Sequence, residues 1–242
     1  MDKLSVAASP RAMARLGGAL YLIMILVGIF NEAVVRGRIV VAGDAAATAA
    51  NLKAMESLWR LGIAGEMLMG ICTIVLSLIL YRLLQPVSKD LALLATFFGL
   101  VATAVETAYA LQLAEALFPL GNAAYLKAFT PDQLNAMASL SLKSHVLGFG
   151  LALLLFGPFF LVSGYLIFRS GYFPRAIGIL YQLAGVAYMA NGFVLILAPR
   201  LAAVSFDAMM LPVFLGEVSF CLWLLVKGVN LEKWYARSPR LS

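Results

Sequence analysis

The chain has 242 residues, of which 63% are hydrophobic and 12% charged, against about 25% charged in an ordinary soluble domain. Its mean hydropathy is +0.94 and its formal charge is +6. That balance excludes a soluble globular fold. The positive excess does not point to nucleic acid either, because the Lys and Arg residues gather at the ends of apolar runs, where headgroups and topology account for them.

Apolar runs of about 20 residues, the length that crosses a bilayer as helix, recur six times. The expected fold is therefore all-α: a polytopic transmembrane helical bundle of six spans, with short outer-face helices. It forms one transmembrane domain over 1–242, with the lipid bilayer as its obligatory partner. The first span is read at Leu16–Val35. It follows Lys3, Arg11 and Arg15 as a signal peptide would, but it is long and five more spans follow, so it is read as a retained anchor. Glu32 and Arg36 near its end are four apart, which suits an ion pair at the rim.

The most polar segment comes next, beginning RGRIVVAGD. Asp44 can cap a helix from Ala45, since its carboxylate accepts orphan amide hydrogens. This helix is expected to reach Leu58 and to roof a pocket. Glu56 and Arg60 stand in the favourable order for a second i,i+4 pair. Span two, Leu58–Leu84, carries Glu66 about 12 Å down at roughly 1.5 Å per residue. Span three, Leu91–Phe118, carries Glu106 about 18 Å from its outer end. In TPDQ, Thr130 caps, Pro131 takes the first helical position and Gln133 completes a capping box, which predicts a second short outer helix.

Span four is read at His145–Phe168 and opens with the chain's only histidine. The stretch SGYFPR ends it at Gly171 and starts span five, Pro174–Leu197, which carries Tyr188 and Asn191 three apart on one face. Span six, Met209–Val226, carries Glu217, again about 12 Å deep, and ends near Gly228. Cys72 and Cys221 fall inside spans and read as small buried residues. With the N-terminus inside, 11 Lys and Arg fall in inner segments and 7 in outer ones. The positive-inside rule then puts both termini on the cytoplasmic side.

Arg15–Asn31 and Arg175–Asn191 share R-x-x-G-x-L-Y and an Asn at the same offset, and each is followed by a span with Gly-Glu. This predicts a parallel repeat of spans one–two and five–six. Polar groups in the spans favour the outer half: Glu66, Glu106, His145, Tyr188, Asn191 and Glu217 are the candidate ligand-binding residues, and Glu32, Arg36, Asp44 and Arg60 the outer-rim network. Ionisable groups at such depth mark a site or a partnered network. Glu66, Glu106 and Glu217 have no cation on their own helical stripe, and the nearest candidates by depth on other helices are Arg60 and His145. A lone histidine excludes a bis-histidine haem. No H-E-x-x-H or E-x-x-H spacing exists, so no metal, cofactor or catalytic residue is assigned.

The stretches VRGRIVVAGDAAATAANLKAMESLWRLG, HVLGFG, GYLIFRSGYFPRAIGILYQLAGVAYMANGF and GEVSFCLWLLVKGVN resemble the bacterial integral-membrane family described as domain of unknown function 4386. The likeness covers roughly Arg15 to Asn230. It implies a multi-pass bacterial membrane protein, and places the family's characteristic polar positions at Glu32, Arg36, Asp44, Arg60, His145, Arg175 and Glu217. It brings no established reaction. The favoured expectation is a binding protein whose small polar or amphiphilic ligand enters from the outer face. The alternatives are a membrane-embedded enzyme using Glu and His145 in acid–base chemistry, and a structural or sensory subunit. A transporter would need polar groups along the inner half, and these are sparse.

Overall fold

The computed structural model describes residues 9–238. Lys3 and Arg240, used above for orientation, lie outside them. Helices follow in the order α1 Pro10–Ile39, α2 Ala45–Ala54, α3 Glu56–Leu84, α4 Lys89–Glu115, α5 Pro131–Ser170, α6 Arg175–Leu197, α7 Pro199–Val226 and α8 Leu231–Arg237. Short 3₁₀ turns at Phe118–Leu120 and Ala124–Ala128 separate α4 from α5. No strand occurs among the described residues. Six helices are long and apolar enough to cross a membrane, the last from Ala208. Large apolar side chains such as Leu26, Ile71, Phe97, Val146 and Leu211 are exposed along them, a surface suited to hydrocarbon rather than water. The fold is an all-α polytopic transmembrane bundle.

Local signals in the sequence set the helix ends. Asp44 Oδ1 accepts from the Ala47 amide at 2.8 Å, opening α2. Thr130 and Gln133 form the reciprocal capping box, at 3.3 and 2.8 Å. Gly171 and Gly228 take positive φ, 74° and 64°, the left-handed conformation that ends a helix without a Cβ penalty. Pro174 is the N-cap of α6, so that helix starts one residue later than expected.

Two boundaries differ from expectation. Helix α2 stops at Ala54 rather than Leu58, because Met55 leaves helical geometry (φ −120°, ψ 33°) while its amide still bonds to Asn51. The Thr130 box does not open a separate outer helix. It opens the 40-residue α5 itself, since no Gly or Pro interrupts the chain between Asp132 and Val146.

The chain divides into two compact units. The first comprises Met1–Ile23, Cys72–Ala102 and Leu153–Ser242. In it, α5 and α6 pack backbone to backbone: a Cβ on Gly164 would lie 2.8 Å from the Gly178 carbonyl, and one on Gly185 2.7 Å from that of Gly157. Small residues permit this approach, which membrane helix pairs use where the hydrophobic effect is absent. Helix α8 is tied to the end of α3 by Trp234 Nε1, which donates to the Leu83 carbonyl at 3.1 Å, and the Tyr172 hydroxyl, from the connection between α5 and α6, donates to the same carbonyl at 2.7 Å.

The second unit comprises Met24–Ile71 and Thr103–Ala152. Its apolar core is Val35, Ile39, Leu52, Trp59 and Leu113. Through Leu52, α2 lies on this core, and Asn51 Nδ2 donates to the Ile39 carbonyl at 3.2 Å. Trp59 is buried and satisfies its indole N–H on the Leu113 carbonyl at 2.8 Å.

Candidate functional site

In the second unit, the last turns of α1 are not α-helical. Phe30–Arg36 is a π-helix. In an α-helix, residues five apart point about 140° from each other. A π turn closes on the fifth residue instead, so Asn31 and Arg36 come to one side, and both meet Glu66 of α3. Asn31 Nδ2 donates to Glu66 Oε1 at 3.1 Å and to the Gly62 carbonyl at 3.2 Å. Arg36 Nη2 donates to the same Oε1 at 2.6 Å, and Nη1 to Glu32. Glycines make the fit possible: a Cβ on Gly62 would stand 2.9 Å from Val35, and one on Gly65 3.0 Å from Val27.

His145 completes the cluster from α5. Its Nε2 lies 3.2 Å from Arg36 Nη2, and its Nδ1 3.1 Å from the Tyr109 carbonyl of α4. A guanidinium only donates and a carbonyl only accepts. The pattern therefore requires the neutral Nδ1–H tautomer, with the Nε2 lone pair toward Arg36. The approach of α4 depends on Gly148, one turn beyond His145, where a Cβ would fall 1.8 Å from the Tyr109 ring. Phe149 stacks on the imidazole at 6.3 Å between centroids.

Asn31, Glu66 and His145 are buried, while Arg36 is partly open and Glu32 exposed. A cavity of about 10 Å³, lined by Asn31, Arg36, Trp59, Gly62 and Glu66, has room for roughly one water. Asn31 Oδ1 is buried with no hydrogen-bond partner among the described residues. The two carboxylates, one guanidinium and neutral imidazole leave the cluster one negative charge and spare acceptors.

Other candidates in this unit lie apart from Arg36's bonds. Arg60 pairs with Glu56 at 2.7 Å, both exposed, so the cation serving Glu66 is Arg36 and not Arg60. Asp44 is spent as a helix cap, and Glu106 is half-buried on α4. In the first unit, Tyr188 donates to Glu217 Oε1 at 2.7 Å, and the hydroxyls of Tyr21 and Tyr181 meet at 3.0 Å. Phe160 lies against both Tyr181 and Tyr188. Asn191 is buried on the same helix as Tyr188. Cys72 and Cys221 are buried free thiols. Among the described residues, no group of three or more His, Cys, Asp and Glu is arranged to hold a metal ion.

The chain matches the family described as domain of unknown function (DUF4386) over residues 16–228. The chain belongs to that family. An uncharacterised protein of Archaeoglobus fulgidus is similar, 28% identical over 171 residues that cover 71% of this chain and 86% of the relative. No solved structure matches. Within this DUF4386 chain, sequence reasoning passed over Asn31 and the reach of Arg36 to Glu66. The available signal was Asn31 itself, at the same offset from Arg15 as Asn191 from Arg175. The π segment has no comparable signal, since an apolar run looks the same at either helical period.

Proposed function

We propose that this membrane protein binds a small polar ligand at the Arg36–Glu66–His145 cluster. The π segment carries the reading. It departs from regular helix to turn an amide and a guanidinium onto one carboxylate, and such segments recur at functional sites. A buried ion pair is a poor way to stabilise a bundle, since desolvation offsets much of its attraction. Ionisable groups inside a span more often serve a site. The negative balance and the spare acceptor on Asn31 suit a hydrogen-bond donor, headed by a protonated amine. With room beside the cluster for about one water, that head group enters by displacing Arg36 from part of its bonding.

Trp59 lines the cavity and offers a readout. In a Trp223→Phe, Trp234→Phe background, titration with methylammonium is expected to change Trp59 fluorescence saturably, and Glu66→Gln to abolish the change in a protein that remains folded. No saturable response, or one indifferent to Glu66→Gln, overturns the proposal. A second reading, a lock that fixes helix packing, is favoured by one observation: each charged group in the cluster already has a partner. Unfolding of Glu66→Gln in detergent would establish the lock instead.

On charge asymmetry, the cluster belongs to the outer half of a cell inner membrane with both termini cytoplasmic. Reporter fusions at Ala124 and at the C-terminus are expected to read opposite compartments; a periplasmic C-terminus reverses the orientation.

A further inference from the structure

Within the first unit lies a cleft of about 520 Å³, inside the usual size range of ligand pockets, about 300–1,000 Å³. Val87, Ser88, Leu91, Tyr165, Arg169 and Arg237 line it. The two arginines come from different elements: Arg169 from the last turn of α5 and Arg237 from the last turn of α8. Neither makes an ion pair among the described residues, and no carboxylate lines the cleft. Ser88 precedes α4 and caps it, accepting from the Leu91 amide at 3.4 Å, so that helix's N-terminus, with its partial positive charge, opens here too.

The helix end that carries Arg237 is anchored. The Trp234 bond to the Leu83 carbonyl holds α8 down. The charge of Arg237 is felt at the Tyr172 phenol, where it opposes the upward push of burial on that group's pKa. Val87, Leu91 and the Tyr165 body provide an apolar wall beside the cations. Tyr165 and Trp234 are residue types that favour the headgroup level. A cationic floor next to an apolar wall, at the end of membrane-crossing helices, matches a group with a charged head and a greasy tail.

We propose that this cleft binds the phosphate of an anionic phospholipid, with Arg169 and Arg237 as its two cationic donors and the α4 N-terminus behind them. Guanidinium forks suit phosphate oxygens bidentately, and the apolar wall favours a lipid over free phosphate.

The test uses the full chain, purified in detergent after exposure to vesicles of phosphatidylcholine alone or of equal parts phosphatidylcholine and phosphatidylglycerol. Native mass spectrometry counts the lipid retained. The wild type is expected to retain phosphatidylglycerol in preference. The pair Arg169→Gln, Arg237→Gln is expected to lower that retention about 30-fold. The charge-matched pair Arg82→Gln, Lys233→Gln, outside the cleft, is expected to leave it unchanged. All four side chains are exposed, and thermal unfolding in phosphatidylcholine checks that both variants fold. Unchanged retention in the cleft variant, or equal loss in the charge-matched one, overturns the site. A further arm adds inorganic phosphate. Failure to displace the lipid supports a headgroup site; displacement at equimolar phosphate overturns the assignment to lipid.

Discussion

Glu66 and Glu217 were expected at the same depth, on comparable spans, each preceded by glycine. Their surroundings differ in kind. Glu66 accepts from a guanidinium and an amide. Glu217 accepts from a phenol and makes no ion pair among the described residues. The packing of the two hairpins differs as well. Gly65 faces Val27 and Asn31, whereas Gly216 faces Leu180 and Ala184, positions nearer the shared R-x-x-G-x-L-Y. A carboxylate with a cation forms a small charged system that is costly to break from one side. A carboxyl held by a phenol requires little more than an acceptor atom.

The most severe way to probe this contrast is Arg36→Ala. It leaves Glu66 buried beside an amide alone, and removal of one partner from a buried pair costs about 3–5 kcal/mol. A fall of that size in unfolding free energy is expected in detergent, and a loss below about 1 kcal/mol would show that the pair is effectively solvated. Next in size is a comparison of two identical changes. Glu66→Gln is expected to cost about 2 kcal/mol, because it abolishes a charge-assisted bond, while Glu217→Gln is expected to cost less than about 1 kcal/mol, because an amide oxygen still accepts from Tyr188. Equal losses would erase the distinction. The smallest effect is spectroscopic. Nitrogen NMR of His145, the sole histidine, is expected to show a protonated Nδ1 and a bare Nε2. The opposite tautomer would remove the imidazole from the Arg36 cluster.

What could be read in advance follows the range of the forces involved. Asp44, Thr130 with Gln133, Gly171 and Gly228 act within a few residues, and their roles were legible. So were the pairs Glu32–Arg36 and Glu56–Arg60, which depend only on helical spacing. The spans followed from apolar length. The Arg36–Glu66 bond was not legible, since it joins residues 30 apart and depends on a local change of helical period. Nor was the length of α5. A capping box marks where a helix starts and says nothing about how far it continues, so the 40-residue element reads in the sequence as a short outer helix and a separate span.

That long helix has a mechanical consequence. At about 1.5 Å per residue it extends some 60 Å, roughly twice the hydrocarbon thickness. Its N-terminal portion forms one wall of a cleft of about 350 Å³, where Ser139, Lys143 and Val146 face the Val40–Thr48 turn. His145 stands on the same rigid stretch. The cleft wall and the imidazole thus share one backbone element: Lys143 and His145 are two residues apart on the same helix, so the exposed rim and the buried carboxylate are joined by a single rigid rod rather than by a chain of side chains.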